Sequence, residues 1–147
     1  MNLSVTECNP VDAGIDLSAV AELVGQLGPL AVVDLETTGL PREDAAEILE
    51  FGIVLLDPGR VATFQSLLKP AAPLSLLIQR LTGLTDLDVV DAALLRDVAP
   101  FVRELLAGRT LIAHNAEFER TFLARFVDSA LDDASYLDTQ DLLALTH

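Results

Sequence analysis

Apolar positions along the chain follow two rhythms. One alternates and suits a strand; the other recurs every three or four residues and suits a helix. Leu17, Val20, Ala21 and Val24 share one helical face behind Asp16 or Ser18 as cap, which predicts a helix over 17–27. Gly28-Pro29 ends it and launches a strand over 30–36. Ile48, Phe51, Ile53, Val54 and Leu55 predict a second strand over 47–57. Asp57-Pro58-Gly59 turns the chain, and 61–68 returns as a third, so these strands form an antiparallel meander. Lys69-Pro70 breaks the last strand, and a short helix over 74–81 follows. In a longer helix over 92–107, Leu94, Leu95, Val98, Phe101, Val102 and Leu105 fall at helical spacing. A fourth strand over 109–114 leads into a helix with Asn115 as its N-cap. Tyr136-Leu137 reads as a short fifth strand, with Asp138 capping a final helix that runs to His147. Strands that are first antiparallel and then alternate with helices predict a mixed α/β sheet. Residues 1–15 lack periodicity and read as a loose lead-in, leaving 16–147 as one domain.

The strand at 30–36 carries the first chemical signal. Ala31-Val-Val-Asp-Leu-Glu-Thr-Thr-Gly-Leu40 places Asp34 and Glu36 two apart, hence on one face, with Leu35 turned to the other. Paired carboxylates on a rigid strand repel each other unless a cation lies between them. Hard oxygen ligands of this kind suit Mg²⁺ or Mn²⁺. Thr37-Thr38-Gly39 adds hydroxyls, backbone N–H groups and a permissive turn beside that cation, a combination that suggests phosphate chemistry. The second signal lies at 110–123, where a short apolar strand ends in His114-Asn115 and a helix begins. Glu117 and Glu119 then fall in the first turns, where the helix dipole favours negative charge; on that ground alone they are solvated dipole partners. Phe118, Phe122 and Phe126, four apart, form an aromatic stripe.

Charge narrows the picture. Nine basic residues face 23 acidic ones, a net charge of −14, the wrong sign for holding a nucleic-acid backbone unaided. A nucleic-acid substrate therefore requires metal ions or another part of a larger protein. Cys8 is the only cysteine, so no intrachain disulfide forms, and a reducing, cytoplasmic setting is expected.

Asp34-x-Glu36-Thr-Thr-Gly-Leu40 together with His114-Asn-Ala-x-Phe118-Glu119-x-x-Phe-Leu123 resembles the DEDD exonucleases. The resemblance is to the proofreading exonuclease of bacterial replicative polymerases and to the related domains fused to some helicases. Ile78-Gln-Arg-Leu-Thr-Gly-Leu-Thr85 is similar to that family's intervening segment. The resemblance implies a ribonuclease H-like fold and stepwise 3′-to-5′ hydrolysis, with DNA favoured over RNA and nucleoside monophosphates released. It implies two Mg²⁺ or Mn²⁺ ions, with Asp34 touching both and Glu36 one. Glu119 stands as the second-motif acid. Thr37 and Thr38 would meet the terminal nucleotide, Leu40 would wedge against its base, and Phe118 would line the sugar pocket. For Leu40 an ordinary core position is an equal alternative. His114 and Asn115 would shape the site, His114 as a satisfied structural histidine.

Two departures follow. The family's second-motif acid is usually aspartate, and here it is Glu119, whose extra methylene moves the carboxylate outward. The family's third motif, a histidine general base shortly before a fourth metal-binding aspartate, has no counterpart. His147 follows too soon, and Asp132, Asp133, Asp138 and Asp141 read as caps or solvated residues. The chain is thus expected to be the front part of a longer exonuclease domain, impaired on its own. It should expose apolar surface that favours self-association. The alternative is an inactive exonuclease-fold module that docks a polymerase or helicase.

Overall fold

The computed structural model describes residues 2–145. Its six-stranded sheet runs in the order β1-β4-β3-β2-β5-β6. The strands are β1 (Thr6–Cys8), β2 (Leu30–Thr37), β3 (Ile48–Asp57), β4 (Arg60–Leu67), β5 (Thr110–Ala113) and β6 (Tyr136–Asp138). β1 to β4 pair antiparallel, whereas β5 lies parallel to both β2 and β6. The meander and the switch to parallel pairing are those the sequence predicts. The β3–β4 hairpin closes through Pro58-Gly59, with Gly59 at a φ of 70° that a side chain would resist.

Helices cover the sheet unequally. On α1 (Leu17–Leu27), the Asp16 carboxylate accepts N–H bonds from Ser18 at 2.9 Å and Ala19 at 3.3 Å. Val20 and Val24 of α1 pack on Leu30, Leu56 and Ile112 on one face. The opposite face holds the main core. There α4 (Leu95–Leu106) supplies Val98, Val102 and Leu106, and α5 (Ala116–Phe126) supplies Phe122 and Leu123. These meet Ala31, Val33 and Leu35 of β2 with Phe51, Ile53 and Leu111. Two short helices, α2 (Leu76–Thr82) and α3 (Asp86–Val89), pack through Leu74, Ile78, Leu84 and Val89 around the buried Leu49. The last helix, α6 (Thr139–Leu145), follows β6 directly.

Three features depart from the sequence reading. Thr6–Cys8, within the stretch expected to be a loose lead-in, add an edge strand along Val61–Thr63, and Leu3 and Val5 pack on the core. Alternation over three residues is too short to register as a period. The helix α3 lies where the sequence shows only a loop leading to the helix after it. At Asn115 the expected side-chain cap is absent: the residue sits at φ 66° and ψ 63°, a left-handed conformation that asparagine tolerates. The Asp138 carboxylate of β6 caps α5 instead, accepting the N–H of Asn115 at 2.9 Å and of Ala116 at 2.8 Å. His147 lies outside the described residues, and among those described no helix is long and apolar enough to cross a membrane.

Candidate active site

β2 outruns its parallel neighbour. β5 pairs with it only from Leu30 to Val32, so Val33–Thr37 project beyond that edge. Along this projection Val33, Leu35 and Thr37 are buried, while Asp34 is exposed and Glu36 half-buried on the other face. The two carboxylates therefore stand on one side, as the alternation of a strand requires. Across the sheet Asp34 faces Gly52 and Glu36 faces Glu50. Gly52 leaves the strip beside Asp34 open, since a Cβ there would meet only the Asp34 carbonyl, at 3.5 Å. Burial, then the charges of Asp34 and Glu50, push the Glu36 carboxyl above its ordinary range.

α5 reaches the same place from behind. Glu119, expected on a solvated face from its position in the first turns, is only 3% exposed. Among the described residues its Oε2 has no hydrogen-bond partner. Burial pushes its carboxyl up to about 7, against backbone hydrogen bonds from Glu119 itself and Leu35, with the Asp34 charge adding to the rise. A glutamate is placed there because its neighbours Phe122 and Leu123 must enter the core. One turn earlier, Glu119 is drawn against the projecting end of β2.

A cleft of about 540 Å³ opens beside this end, lined by Glu36, Thr38, Leu40 and Phe118 on the motif side. Leu40, 47% exposed, is a cleft wall and not a core leucine. Phe118 is half-buried, its ring 5.0 Å from that of Phe122. The opposite wall is Leu77, Ile78 and Leu81 of α2; Ile78 and Leu81 belong to the Ile78–Thr85 segment that resembles the family's intervening stretch, whereas a wall role for them was not expected, and Leu77 and Leu81 are 64% and 71% exposed. The sequence signal was the leucine-rich run Leu76-Leu77-Ile78 with Leu81, and the structure leaves no residue of that helix buried.

The threonines spend their hydroxyls on the loop itself. Thr37 Oγ1 donates to the Gly39 carbonyl at 2.7 Å, and Thr38 Oγ1 accepts from the Glu47 N–H at 2.8 Å. His114 is exposed and not enclosed, its Nδ1 3.0 Å from Thr139 Oγ1. Asn115 is exposed at the turn into α5. Asp138 was expected to cap α6; it accepts from Gln140 N at 2.9 Å and also closes α5. Burial would raise its carboxyl, but N–H donors from Ala116, Gln140 and Asn115 outweigh that and hold it below the usual range.

Carboxylate oxygens are hard donors, and the unpartnered Oε2 of Glu119 is an atom that a cation or its bound water would satisfy. The donor chemistry thus fits a divalent ion. Among the described residues, however, no three His, Cys, Asp or Glu side chains are gathered closely enough to hold one by themselves.

The mixed sheet and the carboxylates at the end of its central strand define a ribonuclease H-like domain of the nuclease class. Residues 31–147 match the family described as Exonuclease, and the chain belongs to that family as a DEDD-type 3′–5′ exonuclease domain. It is 36% identical over 114 residues to the DNA polymerase III PolC-type of Caldanaerobacter subterraneus subsp. tengcongensis, covering 77% of this chain and 8% of that protein. With the 3′-5′ exonuclease DinG of Staphylococcus haemolyticus it shares 29% identity over 121 residues, covering 80% of this chain and 13% of the other. The chain therefore spans about a tenth of the length of these relatives. Exonuclease X, solved in complex with 5′ overhanging duplex DNA, superposes at a TM-score of 0.60 and 24% identity over 80% of this chain and 63% of that one. E. coli exonuclease I, solved with a dT13 oligonucleotide, gives 0.66 and 17%, covering 80% of this chain and 29% of the other. At these identities the two structures bear on the fold.

Proposed function

We propose that this chain is a metal-dependent exonuclease domain acting on nucleic-acid 3′ ends, DNA before RNA, in a cytoplasmic setting. The observation that carries the reading is Asp34 and Glu36 on one face of the projecting β2 end, backed by the buried, unpartnered Oε2 of Glu119. Asp34 and Glu36 would hold Mg²⁺ or Mn²⁺, and Glu119 would act on that cation site through water. When bound, such ions supply an activated water and neutralise charge at the leaving oxygen. The residues of this chain then bind and orient. Leu40 and Phe118 close on the terminal base and sugar, and the Thr37–Leu40 backbone meets the phosphate end. His114 and Asn115 shape the turn behind it. In this reading no described side chain is free to take the attacking water's proton, because His114 is engaged with Thr139 and Glu119 serves the cation site. Turnover by these residues alone is therefore slow.

Titrating Mn²⁺ into the chain by calorimetry tests this. Wild type is expected to bind, and Asp34→Ala to lose binding, while a 5′-labelled single strand is shortened slowly from its 3′ end. No Mn²⁺ binding, or binding untouched by Asp34→Ala, sinks the reading.

The absence of a ready three-carboxylate cluster among the described residues favours a second reading, an exonuclease fold kept as a docking module for a polymerase or helicase. Self-association belongs to the same group of possibilities, since Leu76, Leu87, Leu142 and Leu145 present apolar surface.

A further inference from the structure

The loop that carries Leu40 is tied to α5 by a set of contacts that the metal chemistry does not require. The Glu43 carboxylate accepts the Leu40 N–H and occupies the space a Cβ at Gly39 would need. Arg125, one helical turn beyond Thr121 on α5, donates to the carbonyl of Pro41 and, at 3.5 Å, to that of Glu43. Its guanidinium lies 5.7 Å from the Phe122 ring centre and 5.8 Å from that of Phe126. Those rings continue the stack that begins with Phe118. One planar cation thus touches both the loop that bears Leu40 and the aromatic row that begins with Phe118, two apolar residues on the motif side of the cleft.

We propose that Arg125 and Glu43 form a latch that sets the spacing between Leu40 and Phe118, so that both are positioning residues for base binding in the cleft. This rests on the reading of the cleft as a nucleotide site. Glu43 fixes the local turn by holding the Leu40 amide, and Arg125 fixes the turn to the helix. Only a guanidinium serves in that second role. Its flat fork reaches two carbonyls while lying over the rings, whereas the point charge of a lysine does one or the other. Gly39 is part of the same device for a steric reason: any larger residue would expel the Glu43 carboxylate from the Leu40 amide.

The test uses the full chain in Mn²⁺, with hydrogen exchange and binding of thymidine 5′-monophosphate read side by side. In Arg125→Ala, exchange at the Leu40 amide is expected to rise about tenfold, while the central-strand amides of Val33 and Ile53 keep their wild-type rates. Affinity for thymidine 5′-monophosphate is expected to fall about fivefold, because the binding-competent loop is less populated. Affinity for deoxyribose 5-phosphate, which lacks the base that Leu40 meets, is expected to fall less than that for thymidine 5′-monophosphate, and an equal fall would overturn a role in base binding. Arg125→Lys is expected to behave like Arg125→Ala, and Glu43→Ala to reproduce both effects independently. A wild type that binds the nucleotide, with Arg125→Ala binding it equally well, overturns the latch alone. A wild type that does not bind it overturns the nucleotide reading and the positioning role with it.

Discussion

Glu119 concentrates the conflict between folding and chemistry in a single side chain. Its carboxylate is buried against β2 with an oxygen that has no partner, and burial pushes it up to about 7. An ordinary glutamate in the unfolded chain ionises near 4.5. Below that pH both states are protonated and nothing is lost. Between 4.5 and about 7 the unfolded state gives up its proton first, so stability falls as pH rises; above about 7 the loss is constant. The total is on the order of 3 kcal/mol, from the gap between 4.5 and about 7. Glu36, raised for the same physical reason, adds to the slope with the same sign. Urea unfolding in EDTA is therefore expected to show lower stability at pH 8 than at pH 5, and Glu119→Gln to remove most of the difference. An unchanged slope in Glu119→Gln would mean that the carboxylate is solvated after all. The sequence could place Glu119 on a helix near the dipole, but not tell that its turn of helix meets the end of a strand 83 residues upstream in space; burial arises from that meeting, and no local pattern encodes it.

At the scale of elements, the sheet was legible because its strands are long or carry strong punctuation. β2, β3 and β4 follow the alternation and turn residues closely, and the carboxylate pair followed from alternation alone. What escaped was held by contacts between distant segments. β1 exists because β4 offers it an edge, and the α5 cap comes from β6 and not from the residue next to the helix. The latch and the α2 wall likewise depend on neighbours that only the fold supplies. Asp138 tests how far such a contact controls an element, since its carboxylate serves the first turns of both α5 and α6. In Asp138→Ala the melting temperature is expected to fall by a few degrees, in line with the loss of a helix cap. Amide exchange should quicken first at Asn115 and Ala116, because their acceptor is gone. If those amides keep their protection, the caps are supplied by water or by Asn115 itself.

For the whole molecule the decisive quantity is charge. With a net charge of −14, the chain repels a polyanion over most of its surface, and several of its arginines are already engaged, among them Arg60 with Glu7, Arg109 with Asp57 and Arg125 with the Pro41 carbonyl. Ordinary DNA-binding surfaces lose affinity as salt rises because basic residues release counterions. On the proposed reading the attraction would be created at the site, by cations held on Asp34 and Glu36 beside Glu50 and Glu119. Affinity for a single-stranded oligonucleotide should then depend on divalent ions in the opposite sense to the usual salt effect. Fluorescence anisotropy of a 5′-labelled oligothymidine is expected to show no binding in EDTA. At the same ionic strength, Mn²⁺ should bring binding up, and Asp34→Ala should cancel the gain. Tight binding in EDTA that weakens steadily with added NaCl would instead reveal a basic track away from the carboxylates. The substrate would then be held by the protein surface and not through the metal, and the acidic balance of the chain would have to be offset by a local basic cluster.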